Sequence, residues 1–228
     1  MPATLVAGEA IACISFDMAN CYLLRARDGF VLVDTGLPSN RARIDHAIEA
    51  AGCRPGDLRL IVLTHGDYDH AGNATYLRQA FGGAIGIHRD DAERVRRGDW
   101  RWGRKSKPDR FVPLFRLVGL FVKPGAFRTF EPNVILEDGQ DLAPYGYDGR
   151  ILALPGHTRG SIGVLSADGD VFCGDLLGNF FGGPKLEFFI DDLPAARASV
   201  ERLRSMGTRM IYPGHGKPFP LSALKDST

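Results

Sequence analysis

The stretch Leu58-Arg59-Leu60-Ile61-Val62-Leu63-Thr64-His65-Gly66-Asp67-Tyr68-Asp69-His70-Ala71-Gly72 decides how this chain folds. A largely apolar run ends at a polar cluster, the pattern of a buried strand that delivers its last residues to a loop. Four side chains able to bind a metal, His65, Asp67, Asp69 and His70, fall within six residues. If the chain stays extended, His65, Asp67 and Asp69 share one side and His70 points elsewhere, so one short loop could serve two ions. The plainer reading is a strand-to-helix connection in which Asp67 or Asp69 caps a helix starting near Ala71.

Three further segments repeat the same grammar of a strand followed by a glycine-flanked donor. Pro155-Gly156-His157-Thr158-Arg159-Gly160-Ser161 follows Ile151 to Leu154, and Phe172-Cys173-Gly174-Asp175 closes another apolar run. Tyr212-Pro213-Gly214-His215-Gly216 follows Thr208 to Ile211. Four such segments in this order weigh far more than any single short motif.

In these residues the chain resembles the metallo-β-lactamase-fold superfamily of metal-dependent hydrolases, whose signature is HxHxDH, then Gly-His, Gly-Asp and a last Gly-His. The resemblance spans about residues 20 to 216. It implies an α/β fold, a four-layer αββα sandwich of two mixed β-sheets flanked by helices. It also implies a first metal site of His65, Asp67 and His157 and a second of Asp69, His70 and His215, with Asp175 bridging the two ions. Here the second histidine of the signature is Asp67. An anionic oxygen donor in place of an imidazole shifts preference toward iron or manganese, while zinc stays the first expectation for the two divalent ions. The alternative is that Asp67 turns away and leaves one ion at the second site.

The 228 residues suit one domain covering 1–228, with 44% hydrophobic residues and a formal net charge of +1. That balance marks an ordinary globular chain and names no partner. Met1 to Ala12 lacks the charged start and apolar core of a signal peptide, and no apolar run is long enough to span a bilayer, so a cytoplasmic location is expected. Cys13, Cys21, Cys53 and Cys173 show no CxxC spacing and read as buried thiols.

Strand signals over 10–16, 21–26 and 30–33 suggest a meander ending at Asp34, a candidate partner for a ligand histidine. Helices are expected over 38–51, 71–81 and 193–206, and His88 opens another with Asp90 and Asp91 in its first turn, where acids suit the helix dipole. His46 falls on a polar helix face.

A segment at about 94–130 separates two similar halves and reads as a lid-like insertion. Arg94 to Arg110 holds eight basic and two acidic residues with Trp100 and Trp102, and Phe111 to Val122 is almost wholly apolar. Its apolar side would cover the pocket and its basic part would meet an anionic substrate group or solvent. A homodimer interface or a membrane-surface contact are the alternatives, and nucleic acid is not expected because the rest of the chain is not basic. Candidate substrate contacts are Tyr68, Phe111, Phe115, Phe180 and Phe181, for a small molecule with an apolar part.

Two ions can hold a water between them, lower its pKa and polarise the carbonyl it attacks, so no serine or cysteine nucleophile is needed. The expected reaction is hydrolysis of an ester, thioester or lactone carbonyl, with Asp69 both a ligand and the catalytic group that orients the attacking water. Phosphodiester or phosphate-ester cleavage, a diiron redox reaction and a non-catalytic binding role are the alternatives. Only Lys217 to Thr228 follow the last ligand motif, which weighs against the glutathione thioesters of glyoxalase II-type enzymes with their helical C-terminal extension.

Overall fold

The computed structural model describes residues 4–5, 11–15, 19–110, 129–180 and 182–225. Phe111, Phe115, Phe181 and the side chains of Cys13 and Phe180 lie outside the described part. Strands β1 (Thr4–Leu5), β2 (Ile11–Ser15), β3 (Asn20–Ala26) and β4 (Gly29–Val33) form the expected antiparallel meander. Helix α1 (Arg41–Ala50) leads to β5 (Leu58–Val62), parallel to β4. Helices α2 (Tyr68–Ala71) and α3 (Ala74–Phe81) lead to β6 (Gly82–Ile87), and α4 (Arg89–Arg97) precedes β7 (Val134–Ile135). These parallel additions complete a seven-stranded mixed sheet in sequence order.

The second sheet contains β8 (Gly149–Ala153), β9 (Ile162–Ser166), β10 (Val171–Phe180) and β11 (Gly183–Leu186). Helix α5 (Leu193–Ser205) then returns the chain to β12 (Met210–Gly216), and β13 (Phe219–Pro220) closes the edge. The order is β13-β12-β10-β9-β8, with β11 paired to β10 and β12 running parallel to β10.

Period-two alternation sorts the apolar side chains into layers. Along β3 and β4, Cys21, Leu23, Phe30 and Leu32 face Ile44, Ile48, Leu77 and Phe81 of the helices. Tyr22, Leu24, Val31 and Val33 of the same strands face Ile151, Ile162, Val164 and Phe172 of the second sheet. Behind that sheet, Leu152, Leu154, Val171 and Ile211 pack on Ala196, Val200 and Leu203 of α5. The result is the αββα sandwich, with each fully buried Leu, Ile, Val or Phe contributing about 1.5–3 kcal/mol. Among the described residues no helix is long and apolar enough to cross a membrane.

Three local expectations are corrected. The helix expected over 71–81 is broken after Ala71, because the Asn73 amide donates to the carbonyls of Thr35 and Leu37 at 2.9 and 2.8 Å and pins the chain there. Asp175 and His215 sit inside β10 and β12 rather than in loops after them, where register shifts between the two strands turn the donors toward the centre. The apolar run that Asp175 was expected to close accordingly continues as β10 to Phe180.

Candidate metal centre

The donors converge at one edge of the sandwich, from the connection after β5, the turn after β8, and the bulged strands β10 and β12. His65, His157 and Asp175 form one group whose ligand atoms lie within 4.8 Å of one another, and Asp69, His70 and His215 form another. Asp175 reaches both: its Oδ2 lies 3.2 Å from His215 Nε2 and 3.7 Å from His157 Nε2, and its Oδ1 lies 3.2 Å from His70 Nε2. The backbone leaves the extended form at Tyr68, so His70 turns inward on the first helical turn. Asp67 stands at the cap position of α2, but its carboxylate caps nothing.

Three rings are oriented from behind. Thr64 donates its hydroxyl to Asp34 Oδ2 at 2.8 Å, so its oxygen is left to accept from His65 Nδ1 at 3.0 Å. His70 Nδ1 faces Asp34 Oδ2 at 2.9 Å, and His157 Nδ1 faces the Phe189 carbonyl at 2.6 Å. Each Nδ1 thus carries the proton and each Nε2 lone pair is turned to the centre, as ligand histidines require. The partner role expected of Asp34 is present, and among the described residues Asp34 is the one non-glycine with positive φ, at 60°.

Electrostatics separate the rings. Burial, then the neighbouring His70, pushes the His65 pKa well below its ordinary value. Burial opposes protonation of His70 and His215, but Asp175 first and Asp69 with it raise both, His70 well above its ordinary value and His215 to about 9. Burial and the Asp175 charge raise the carboxyl of Glu187, which is 5% exposed.

Asp67 faces cations. Its Oδ1 accepts from Arg94 Nη1 at 3.2 Å, and its Oδ2 pairs with Arg104 Nη2. Burial would raise this carboxyl, yet the Arg104 charge holds it well below the usual carboxylate range. Arg94 was expected in a basic stretch that meets an anionic substrate group or solvent but is 1% exposed, because helix α4 aims it inward between Asp67 and Asp91. Asp91, expected only to suit a helix dipole, is fully buried and accepts from Gly66 N, Thr158 Oγ1 and Gly160 N at 2.9, 3.0 and 3.2 Å. It ties the His65 connection to the His157 turn.

The last donor is held from the first sheet. Tyr22 Oη and Asn20 Nδ2 donate to the Pro213 carbonyl at 2.7 and 3.0 Å, and Asn20 Nδ2 reaches the Gly216 carbonyl at 2.7 Å. Gly214 permits the close approach: a Cβ there would stand 2.2 Å from Asp175 Oδ1 and 2.8 Å from His70 Cε1.

The second group fits a metal ion. A tetrahedral ion with bonds of about 2.0–2.1 Å separates its donors by roughly 3.3 Å. His70 Nε2 and His215 Nε2 are 3.4 Å apart, and Asp69 Oδ2 is 3.5 Å from His215 Nε2. The first group fits in part: His65 Nε2 is buried without a hydrogen-bond partner, as a ligand atom would be, while Arg104 points into the same space.

The profile of the Metallo-beta-lactamase superfamily matches residues 14–215. The chain belongs to this superfamily of hydrolases. It is 28% identical over 230 residues to the acyl-coenzyme A thioesterase MBLAC2 of Bos taurus, covering 92% of this chain and 77% of that protein. It is 33% identical over 130 residues to the hydroxyacylglutathione hydrolase GloC of Haemophilus influenzae, covering 56% and 52%. A Cronobacter sakazakii metallo-beta-lactamase with a HARLDQ motif superposes with a TM-score of 0.66 at 23% identity, over 90% of this chain and 74% of that one. The superfamily thus accounts for the enzyme class and for both donor groups.

Of the residues expected at the site, His65, Asp67, Asp69, His70, His157, Asp175 and His215 are all brought together. Tyr68 instead packs, half-buried, against the core beneath the helices. His46 is exposed and His88 caps α4, accepting from Asp90 N at 3.2 Å. Cys53 and Cys173 are buried thiols pushed up to about 12, chiefly by burial, and Cys21 is buried too. Sequence reasoning missed the partnership of Arg94 and Arg104 with Asp67. Its one available signal was an unmatched carboxylate in a histidine position, upstream of a run of arginines.

Proposed function

We propose that this chain hydrolyses an activated carbonyl, a thioester first and then an ester or lactone, by metal-assisted attack of water. The observation that carries this is the pair of donor groups sharing Asp175, with three Nε2 lone pairs turned into one space by oxygens behind the rings. The names of the acyl-coenzyme A and hydroxyacylglutathione relatives favour the thioester. The buried Cys173 thiol, with its pKa near 12, is poorly suited to be a nucleophile, which favours water.

A divalent ion held by Asp69, His70 and His215, with Asp175 beside them, would supply Lewis acidity and a lowered pKa for water. The chain's own residues do the rest. Asp34 and Thr64 keep the rings of His70 and His65 in one orientation, so their lone pairs need no rearrangement when substrate arrives. Asp69, with a side chain 26% exposed, is the most open carboxylate of the set and is placed to hold the proton of an attacking water at Oδ2. The described part of the insertion covers the centre: Arg104 Nη1 donates to the His157 carbonyl at 3.0 Å and Arg110 bridges to Ile190, consistent with a lid. A phosphoester substrate is less well served, because Arg94 and Arg104, among the described residues the cations beside the centre, are already engaged by Asp67.

The test compares thiol release from short and long acyl-coenzyme A thioesters with turnover of a carbonyl ester and of a phosphodiester. Chelator-sensitive thiol release, restored by added metal, is expected. Faster turnover of the phosphodiester, or thiol release that survives complete metal removal, would overturn the reading.

A further inference from the structure

We infer that the Arg104 guanidinium stands in the first metal position, so that the chain binds a single metal ion, at Asp69, His70 and His215. This goes beyond the proposed reaction and rests only on the chain's being a metal protein.

Arg104 is not a surface cation leaning toward a carboxylate. Its side chain is 5% exposed and every nitrogen is engaged. Nη2 pairs with Asp67 Oδ2 and lies 3.1 Å from His157 Nε2, Nη1 donates to the His157 carbonyl at 3.0 Å, and Nε donates to the Trp100 carbonyl at 3.3 Å. Nη1 also stands 3.5 Å from Asp191 Oδ2, and the guanidinium lies over the Phe189 ring at 4.3 Å. Because His157 Nδ1 is committed to the Phe189 carbonyl, its Nε2 is the lone pair, and Arg104 donates to it. Two of the donors that the superfamily pattern assigns to a first ion therefore already accept from one arginine.

The charges agree with the geometry. Asp67 carries one negative charge and meets Arg104 on Oδ2 and Arg94 on Oδ1, and Arg94 is anchored by Trp100 O at 2.7 Å and Asp91 at 3.4 Å. A divalent cation added between His65, His157 and Asp67 would sit against a fixed cation and would have to displace a charge-assisted pair. At the second group Asp69, Asp175, His70 and His215 face one another, and among the described residues no arginine or lysine is ion-paired to either aspartate. The aspartate that replaces the signature histidine and the arginine that enters from the insertion thus act as a pair: the carboxylate holds the guanidinium where an ion would otherwise sit.

The test is metal stoichiometry, which does not depend on knowing the substrate. The full-length protein, stripped by chelator and dialysed against micromolar zinc, is assayed for zinc per chain by elemental analysis. A titration with cobalt(II), followed by its visible absorbance, counts distinct sites. One ion per chain is expected, rising to two in Arg104→Met, which releases Asp67 and His157. In the unaltered background His215→Ala should lose the ion, whereas His157→Ala should keep one. Those two variants carry the test if Arg104→Met does not fold, as judged by circular dichroism. Two ions in the wild-type chain, one ion in a folded Arg104→Met, or loss of the ion from His157→Ala would overturn the assignment. A chain that binds no ion would overturn it together with the proposed function, whereas a chain that binds one ion but cleaves no thioester would overturn the proposed reaction alone.

Discussion

The two donor groups share Asp175 yet are built on opposite principles. The first is embedded in fixed charge: Asp67, Arg94, Asp91 and Arg104 form a chain of buried pairs, and Asp91 hydrogen-bonds both adjoining turns. The second is a set of donors facing one another, positioned by neutral contacts through Tyr22 and Asn20 and by a single carboxylate, Asp34. The difference teaches that one centre can be divided between structure and chemistry. Changes in the first group should cost stability and little metal, and changes in the second should cost metal and little stability.

The largest expected effect tests the structural half. Arg94→Met leaves Asp91 buried without its counter-charge and takes one of two cations from Asp67, and breaking a buried pair this way typically costs about 3–5 kcal/mol. Denaturant unfolding of the metal-loaded chain should show this loss while zinc still binds. A fall in zinc affinity without loss of stability would erase the distinction. Next, Gly214→Ala drives a methyl into Asp175 and His70, and misplacing a reacting constellation by about 1 Å can lower turnover roughly 100-fold. Steady-state kinetics at saturating zinc should register that loss, and normal kinetics would mean that β12 has slack.

Asp34→Asn keeps a residue tolerant of positive φ but removes the charge behind His70. Outer partners of this kind are worth about 10- to 100-fold in metal affinity, so competition with a chromophoric chelator should show a drop of that order with little change in melting temperature. Tyr22→Phe removes the 2.7 Å bond to Pro213 O together with the 3.1 Å bond that the hydroxyl accepts from Asn20 Nδ2, and should cost about 1 kcal/mol of stability. A larger effect would make the inter-sheet clamp a main support of His215. The last effect concerns pH in the metal-free chain. His215 is raised from 6.5 to about 9 by Asp175 and Asp69 against the effect of burial. Its pairing therefore stabilises the fold fully below about 6.5 and is lost as pH rises through about 9. The melting temperature of chelator-treated protein should decline across that window, and a flat profile would mean that the pair contributes nothing without metal.

Much of this was legible in the sequence because its signals are local. The run 58–63 followed by closely spaced donors, the glycines beside His157 and His215, and the apolar alternation of β3 and β4 each need only a few residues to be read. Asp34 could be suspected because it ends a strand. What the sequence concealed depends on partners distant along the chain. The pairing of Asp67 with Arg104 joins residues 37 apart, and the link from Thr158 to Asp91 spans 67, so no periodicity announces either. The bulges that keep Asp175 and His215 inside their strands arise from the pairing of β10 with β12, and composition alone reads such glycine-rich strands as loops.

The contacts from Tyr22 and Asn20 to Pro213 join residues 191 and 193 apart in the chain. During synthesis the meander of the first sheet emerges early and waits, with its side of the clamp unfilled, until β12 has left the ribosome. His65 and His70 can be shaped by then, but the second group lacks a donor until residue 215 arrives. On the single-ion assignment, a chain stalled before β12 would hold at most a partial chelate at the second group, so ion capture there would report that translation has passed the last strand carrying a ligand.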